Sequence, residues 1–600
     1  MGLQVARKVT DHRPTGSANP YLGLVPDLAR ADYAGWAAFM ERRADARMRA
    51  RDSAREVVPF GYDEEEPAGI SGSNDRPANA EAIPGFGTGT GEESAVRIAG
   101  QLSPPRLPAR RINTREDQGS IPKATNTGIP RRGSTVVVRS RIGDGPHGRA
   151  RSGRGDFDFY KVRARAGRTI FASTAGGDER FDTILVLFDA EGTVLAANDD
   201  FRGLQSELRY EVADTGSYYV MVSGYLSLPR NPFRSGSGSG AESQGNYRLK
   251  MSTVAGDRDM YAVELQSGDV LGGTVSGRAA DLTVRTPNGK RRIGSTFDAT
   301  YIYPMASPLP GGGRSTFAYV AEEAGKYTVS TSQGKGRYSI DLEVYRPGSE
   351  ASDGRVTQRL FLDFDGARVN TGVWFGRGVS HLSPLSAFLA RWQLPSSALD
   401  AVIDQVVATV QENVDQDLRE RGLNDEFRVE VLNSRDHADV FGQPNVSRVV
   451  VGGTIDETWL PTIGIAQSID PGNFEREETA LVLLDVLSGS RREWGDASLN
   501  YYLRPRSDRV GFVGTAVGNV TSHEIGHLLG SFHVDQFNDV LNLMDQGGNF
   551  PLLYGVGADG VGGTADDPDV DFGVDTFNPS EGFTGLEDTL NNTAWGSSGG

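Results

Sequence analysis

The strongest chemical signal in this 600-residue chain is one stretch: His523, Glu524, Ile525, Gly526, His527, Leu528, Leu529, Gly530, Ser531, Phe532, His533. Two imidazoles four residues apart project from one face of an α-helix. At that spacing both can ligate one Zn2+ at about 2.0–2.1 Å. Glu524, beside the first ligand, can reach a water held by the metal. Gly530 can take a left-handed conformation, end the helix and turn the chain. His533 then returns as a third ligand. Three protein ligands leave a fourth position open, as in a catalytic rather than a structural zinc site. A bare HExxH arises by chance on a charged helix, but the added glycine and third histidine make chance a poor account in a chain with 7 His. His12, His147, His381 and His437 are scattered and carry no role.

These residues need a scaffold. Apolar periodicity predicts a helix over 513–529 and another over 398–418, where Val402, Val406, Val410 and Val414 recur every four residues. Strands are expected at 360–364, 427–431, 449–451 and 464–469, and 480–487 fits either state. Mixed order of this kind leads directly into the histidines.

The long form HExxHxxGxxH is the signature of the metzincins, which this region resembles over about 356–550. Metzincins also carry a methionine turn beneath the metal, downstream of the third ligand. Leu541 to Asp545 stands at that distance, and the resemblance assigns Met544 to the turn. Some metzincins have a tyrosine two residues later; Gln546 stands there, so that role is not carried over. The resemblance implies a zinc-dependent endopeptidase that hydrolyses peptide bonds with a zinc-bound water and Glu524 as general base. Substrate would lie along an edge strand, for which 464–469 is the candidate.

Upstream, short alternating strands separated by Gly and Asp turns begin near residue 155 and point to β-sandwiches. They repeat: Asp158-Phe159-Tyr160 recurs as Asp259-Met260-Tyr261, and Gly216 to Val220 recurs as Gly325 to Val329. Two tandem sandwiches are expected, at 150–254 and 255–349. The first resembles the bacterial pre-peptidase C-terminal domain through Asp156 to Tyr160, Phe181-Asp182-Thr183, Asn198-Asp199-Asp200 and Gly216 to Val220. Residues 1–130 read as a helix over 27–55 followed by a partly disordered linker or pro-region. Residues 551–600 read as an acidic Gly/Asp-rich segment. The expected fold is therefore multidomain: an α+β metzincin-like catalytic domain preceded by two antiparallel β-sandwich domains and that N-terminal region.

Calcium is a second expected ion, because carboxylates on Gly-rich loops can supply its six to eight oxygens. Asp559, Asp566, Asp567, Asp569 and Asp571 form one candidate set; Asp182, Asn198, Asp199 and Asp200 form another. A solvated acidic tail and Asx turns explain the same residues. The net charge of −17 argues against nucleic acid as a partner. With 0 Cys, disulfides, thiolate metal sites and cysteine nucleophiles are excluded. No apolar run reaches the length of a membrane span. The expected partner is a protein or peptide substrate, and the expected setting is secreted or cell-surface in a bacterium, although no signal peptide is visible. The competing class is a surface-binding or adhesive β-sandwich protein with a vestigial protease domain. The intact Glu524 argues against it.

Overall fold

The computed structural model describes residues 2–4 and, from 58 to 596, all except 67–72, 104–108, 115–116, 130–134, 146–154, 179, 199–203, 226, 239–242, 255–256, 347–356, 375–377, 425–426, 537, 548 and 579–580. The helix expected over 27–55 lies outside the described residues.

Two β-sandwiches share one plan, and one is inserted into the other. In the inner sandwich, one sheet runs Val194–Asn198, Thr183–Phe188, Gly216–Gly224, Asp158–Ala164, Thr125–Asn126. The facing sheet runs Glu207–Glu211, Thr169–Ser173, Gly245–Val254, Thr135–Ile142, Ala109–Arg111. The outer sandwich repeats this order. One sheet contains Arg291–Ser295, Leu282–Arg285, Gly325–Thr331, Asp259–Leu265 and Glu81–Ala82; the other contains Ser315–Val320, Val270–Ala279, Gly334–Tyr345, Ala95–Leu102 and Phe60–Asp63. Three of its strands precede the inner sandwich and the rest follow it.

The tandem boundaries expected at 150 and 255 are therefore corrected, as is the reading of the stretch after the N-terminal helix, up to 130, as linker or pro-region. Phe60–Asp63 pairs in parallel with Ala95–Leu102, which pairs with Gly334–Tyr345 more than two hundred residues on. Local composition hides strands whose partners are that distant. Within Ala95–Leu102 the alternation is plain once seen: Val96 and Ile98 are buried and Arg97 is exposed. In Thr183–Phe188 all residues are buried, because Leu185 and Leu187 face one apolar cluster and Ile184, Val186 and Phe188 face another.

The third unit is a six-stranded mixed sheet ordered Val429–Asn433, Gln358–Asp363, Val446–Val451, Thr479–Val482, Thr462–Ala466, Gly2–Gln4. The first four strands are parallel. Thr462–Ala466 runs antiparallel to Thr479–Val482. The helix Leu399–Gln411 continues through a π turn, Glu412–Gln416, into Asp417–Arg421. Val402, Val406, Val410 and Val414 are all buried, against the sheet and the long helix Arg509–Leu528. The ambiguous 480–487 splits into a strand and a helical turn, Leu484–Leu487.

Residues 551–596 are not a free acidic segment. Val574–Thr576 and Phe583–Asp588 form a hairpin, and Phe583–Asp588 also pairs with Arg291–Ser295, extending the outer sandwich. Buried Val570, Phe572, Phe577 and Phe583 hold this segment down between its acidic residues. The molecule as a whole is mostly β-sheet with few helices. No described helix is long and apolar enough to cross a membrane.

Candidate metal centre

The long helix starts at Asp508, whose side chain accepts from the Gly511 amide at 3.0 Å. It is buried almost throughout. Two glycines one turn apart let the neighbouring helix approach: a Cβ on Gly514 would lie 2.4 Å from Gln405 Cβ, and one on Gly518 2.6 Å from Thr409 Cβ. The helix ends at Leu528. Gly530 has φ +102°, and the Ser531 amide returns to the Gly526 carbonyl at 2.8 Å. This reversal carries His533 back toward the helix.

The structure brings His523, His527 and His533 together, with ligating nitrogens within 4.8 Å of one another and the rings 0%, 0% and 1% exposed. Each Nδ1 is tied to an oxygen: His523 to the Leu543 carbonyl at 2.6 Å, His527 to the Ser531 carbonyl at 2.8 Å, His533 to Glu581 Oε1 at 2.7 Å. A carbonyl can only accept, so Nδ1 of His523 and His527 carries the proton. Burial, first, and the neighbouring imidazoles depress the pKa of both rings, which are therefore neutral. Their Nε2 lone pairs are bare and converge. His527 Nε2 lies 3.1 Å from His533 Nε2, and His523 Nε2 is buried with no hydrogen-bond partner. Two nitrogens bound to one tetrahedral zinc lie roughly 3.3 Å apart. The donor set, its tethering and its spacing all fit zinc.

Met544 lies beneath, fully buried, its sulfur 2.5 Å from where a Cβ on Gly526 would stand. The Met544 amide is held by Asn542 Oδ1 at 2.9 Å, and its carbonyl accepts from Val534 at 3.0 Å. The turn that carries it thus also supplies the Leu543 carbonyl to His523. Glu524 is fully buried, and neither carboxylate oxygen has a hydrogen-bond partner. Burial raises its pKa well above the ordinary carboxylate range. It lies against Thr462–Ala466: a Cβ on Gly464 would come within 2.2 Å of Glu524 Oε1. The strand expected at 464–469 thus starts and ends earlier, at 462 and 466. On its outer edge Gly2–Gln4 pairs antiparallel, Gly2 opposite Ile465 and Leu3 opposite Gly464.

Sequence reasoning missed Glu581, forty-eight residues beyond His533. Gln546 donates to Glu581 Oε1 at 2.8 Å and itself accepts from Gln536 and Asn578 at 2.8 and 2.7 Å. Gln546 therefore braces the partner of the third histidine. Only its position, two residues past the methionine, pointed to this neighbourhood.

The calcium candidates are gathered only in part. Asp559, Asp566 and Asp567 accept from amides of their own loop, at Val561, Asp559 and Gly563 among others. Asp569 and Asp571 instead meet Glu412, and Asp571 also pairs with Arg421. Loop amides partner the first three, whereas Glu412, Asp569 and Asp571 bring carboxylate oxygens within 4.8 Å of one another and Asp571 Oδ1 is buried without a hydrogen-bond partner. In the inner sandwich, Asn198 accepts from the Glu207 amide at 2.9 Å, and the Asp182 amide donates to Ser243 Oγ at 3.0 Å. Asp199 and Asp200 lie outside the described residues.

No protein family and no curated protein matches the chain. Among solved structures it is similar to the pre-peptidase C-terminal domain of collagenase from Bacillus anthracis, at 16% identity over 25% of this chain and 98% of that one, TM-score 0.14. It is also similar to PliG, a periplasmic inhibitor of g-type lysozyme from Aeromonas hydrophila, at 14% identity over 24% of this chain and 96% of that one, TM-score 0.14. Neither likeness bears on the histidine site.

Proposed function

We propose that this protein is a zinc-dependent endopeptidase of the metzincin type. The observation that carries the reading is the convergence of three Nε2 atoms whose Nδ1 partners are all tethered. His523, His527 and His533 would hold the ion. When bound, zinc supplies a Lewis acid that polarises a carbonyl and acidifies water.

The chain's own residues supply the rest. Glu524 is buried next to the first ligand, where a carboxylate takes a proton from water and returns it to the leaving amine. Thr462–Ala466 offers backbone groups along the edge nearest Glu524, and a peptide laid antiparallel there brings its carbonyl to the base. Pairing of Gly2–Gln4 with this strand supports its capacity to accept a peptide backbone.

The test is casein hydrolysis by the zinc-loaded protein, by Glu524→Ala and by a form lacking residues 1–4, each with zinc content determined. Chelator-sensitive cleavage, lost in Glu524→Ala at equal zinc content, is the expected result. A folded parent that binds no zinc overturns the reading. So does zinc bound without cleavage by either the parent or the shortened form.

A further inference from the structure

The chain has a net charge of −17, yet one face of the inner sandwich is basic. In the sheet that contains Gly245–Val254 and Thr135–Ile142, Val136, Val138, Leu249 and Met251 face the core and are fully buried. The alternate residues of these two strands point the other way. Among them Arg139, Arg141 and Lys250 are exposed and Arg248 is half-buried. Register sets Arg248 directly opposite Arg139, and Asn246 opposite Arg141. Like charges directly opposite one another destabilise a sheet. The sheet's acids go elsewhere: Glu207 pairs with Arg209, and Glu211 with Arg258 and Arg285. Among the described residues no salt bridge reaches Arg139, Arg141, Arg248 or Lys250.

A cavity of about 530 Å³ opens on this face, of a size that holds a small ligand or one segment of a polymer. Arg139, Arg141, Arg248 and Asn246 line it, and so do Asp144 and Asp178. Its wall is the turn 174–178, fixed by backbone groups. The Gly177 amide donates to the Thr174 carbonyl at 3.1 Å, the Asp178 amide to the Asn246 carbonyl at 3.3 Å, and Arg248 Nη1 to the Ala175 carbonyl at 3.2 Å. Below the cavity, Lys250 lies over the Phe171 ring, 5.4 Å from its centre.

The outer sandwich shows that the fold does not need this pairing of cations. Tyr338 pairs with Gly100 as Tyr247 pairs with Ser140, and each tyrosine donates to an aspartate of its facing sheet, Asp259 and Asp158. In that register Ala99 and Ser339 stand where Arg139 and Arg248 do. Arg97 and Asp341, in the places of Val137 and Lys250, form a salt bridge at 2.6 Å. The outer copy balances charge across these strands, whereas the inner copy gathers one sign.

We propose that this face of the inner sandwich binds an acidic polysaccharide, a chain of hydroxyl-bearing sugars that carry carboxylate or sulfate. The planar fork of arginine matches either oxyanion with two parallel hydrogen bonds. Arg139 and Arg141, two residues apart on one strand, present cations about 6.8 Å apart along the polymer. Asp144 and Asp178 select against a ligand that is only anionic, because their carboxylates repel it, but they accept hydroxyl donors. A ligand that satisfies both sets of groups combines oxyanions with hydroxyls, as an acidic sugar does. The site uses none of the histidines, and it holds the protein on an acidic glycan independently of any reaction at the metal centre.

The test measures the affinity of full-length, zinc-loaded protein for alginate oligosaccharides, dextran sulfate, neutral dextran and single-stranded DNA of similar length, at low ionic strength. Expected is binding to alginate, to dextran sulfate or to both, and none to dextran; which of the two binds tells carboxylate from sulfate. Replacing both cations by their counterparts in the outer sandwich, Arg139→Ala with Arg248→Ser, should weaken that binding at least about 10-fold. Arg163→Gln with Arg165→Gln removes the same charge from exposed positions outside this face and should leave affinity unchanged. If circular dichroism shows the first pair unfolded, Arg141→Gln, which installs the counterpart Gln101, is read instead, with a loss in the same direction. Failure of the parent to bind either acidic saccharide overturns the proposal. Equal affinity in the parent and a folded variant of this face does so too, as does equal weakening by the Arg163 and Arg165 pair. DNA bound as tightly as the saccharides would replace the polysaccharide by a general polyanion and overturn it as well.

Discussion

At the scale of single residues, a tethered nitrogen defines the site. Each histidine gives Nδ1 to an oxygen and so turns Nε2 toward the other two. Two of the tethers are carbonyls set by the backbone, and the third is the carboxylate of Glu581. Removing it frees the His533 ring to rotate and to change tautomer. Glu581→Ala should therefore lower zinc affinity about 10–100-fold, measured by competition with a chromophoric chelator, with the fold intact by circular dichroism. Unchanged affinity would mean that the His533 orientation is set by packing alone. Glu524→Gln isolates the base. It should retain zinc and lose about 10²–10⁴-fold in kcat, whereas a residue that served only structure would lose zinc or stability instead. The three histidines and Glu524 were legible because helix geometry imposes a spacing on them. Glu581 was not legible, because a partner reached through a separate turn leaves no spacing to read.

At the scale of elements, close packing explains the glycines in and around the long helix. Gly514 and Gly518 admit the neighbouring helix, Gly526 admits Met544, and Gly530 supplies the reversal. Gly464 does the same in the edge strand for Glu524. Its substitution makes a clean test, because the atom a new Cβ would meet is the end of a flexible side chain. Gly464→Ala should leave stability and zinc nearly unchanged yet displace the carboxylate, cutting kcat at least about 10-fold. Full activity in that variant would show that the strand does not position the base. The valine stripe of Leu399–Gln411 and the run at Val446–Val451 could be read directly, since each carries its own periodicity. The short strands Phe60–Asp63, Glu81–Ala82 and Ala109–Arg111 could not. They lie among Gly, Pro and Ser, and they are strands only because a distant neighbour pairs with them.

At the scale of the whole molecule, insertion makes the sandwiches interdependent, and the buried acids where the chain returns from the inner sandwich, Asp257 and Asp259, should register this junction in solution. Burial first, then like charge, pushes Asp257 up to about 7 and Asp259 up to about 8. A carboxyl whose folded pKa is raised contributes stability below its ordinary range and loses that contribution as pH climbs through the folded value. The melting temperature should therefore fall between about pH 4 and pH 8 by more than in Asp257→Asn. An identical slope in parent and variant would remove the junction from the account. The outer sandwich also shares its core with the metal centre. Phe532, next to the third ligand, packs edge-on to Phe583, Phe577 and Tyr303, and the Ile469 amide donates to the Ile302 carbonyl at 2.8 Å. Phe583 belongs to the strand that extends the sandwich sheet, so one ring joins the two units. Phe583→Ala should cost about 3–5 kcal/mol of stability in chemical denaturation. Because Phe532 rests on the lost ring and Glu581 lies two residues upstream, zinc affinity should fall as well. If the sandwich were a detachable module, the same variant would melt the sandwich early and leave zinc binding untouched. One coincident transition for tryptophan fluorescence and zinc release is the result the shared core requires.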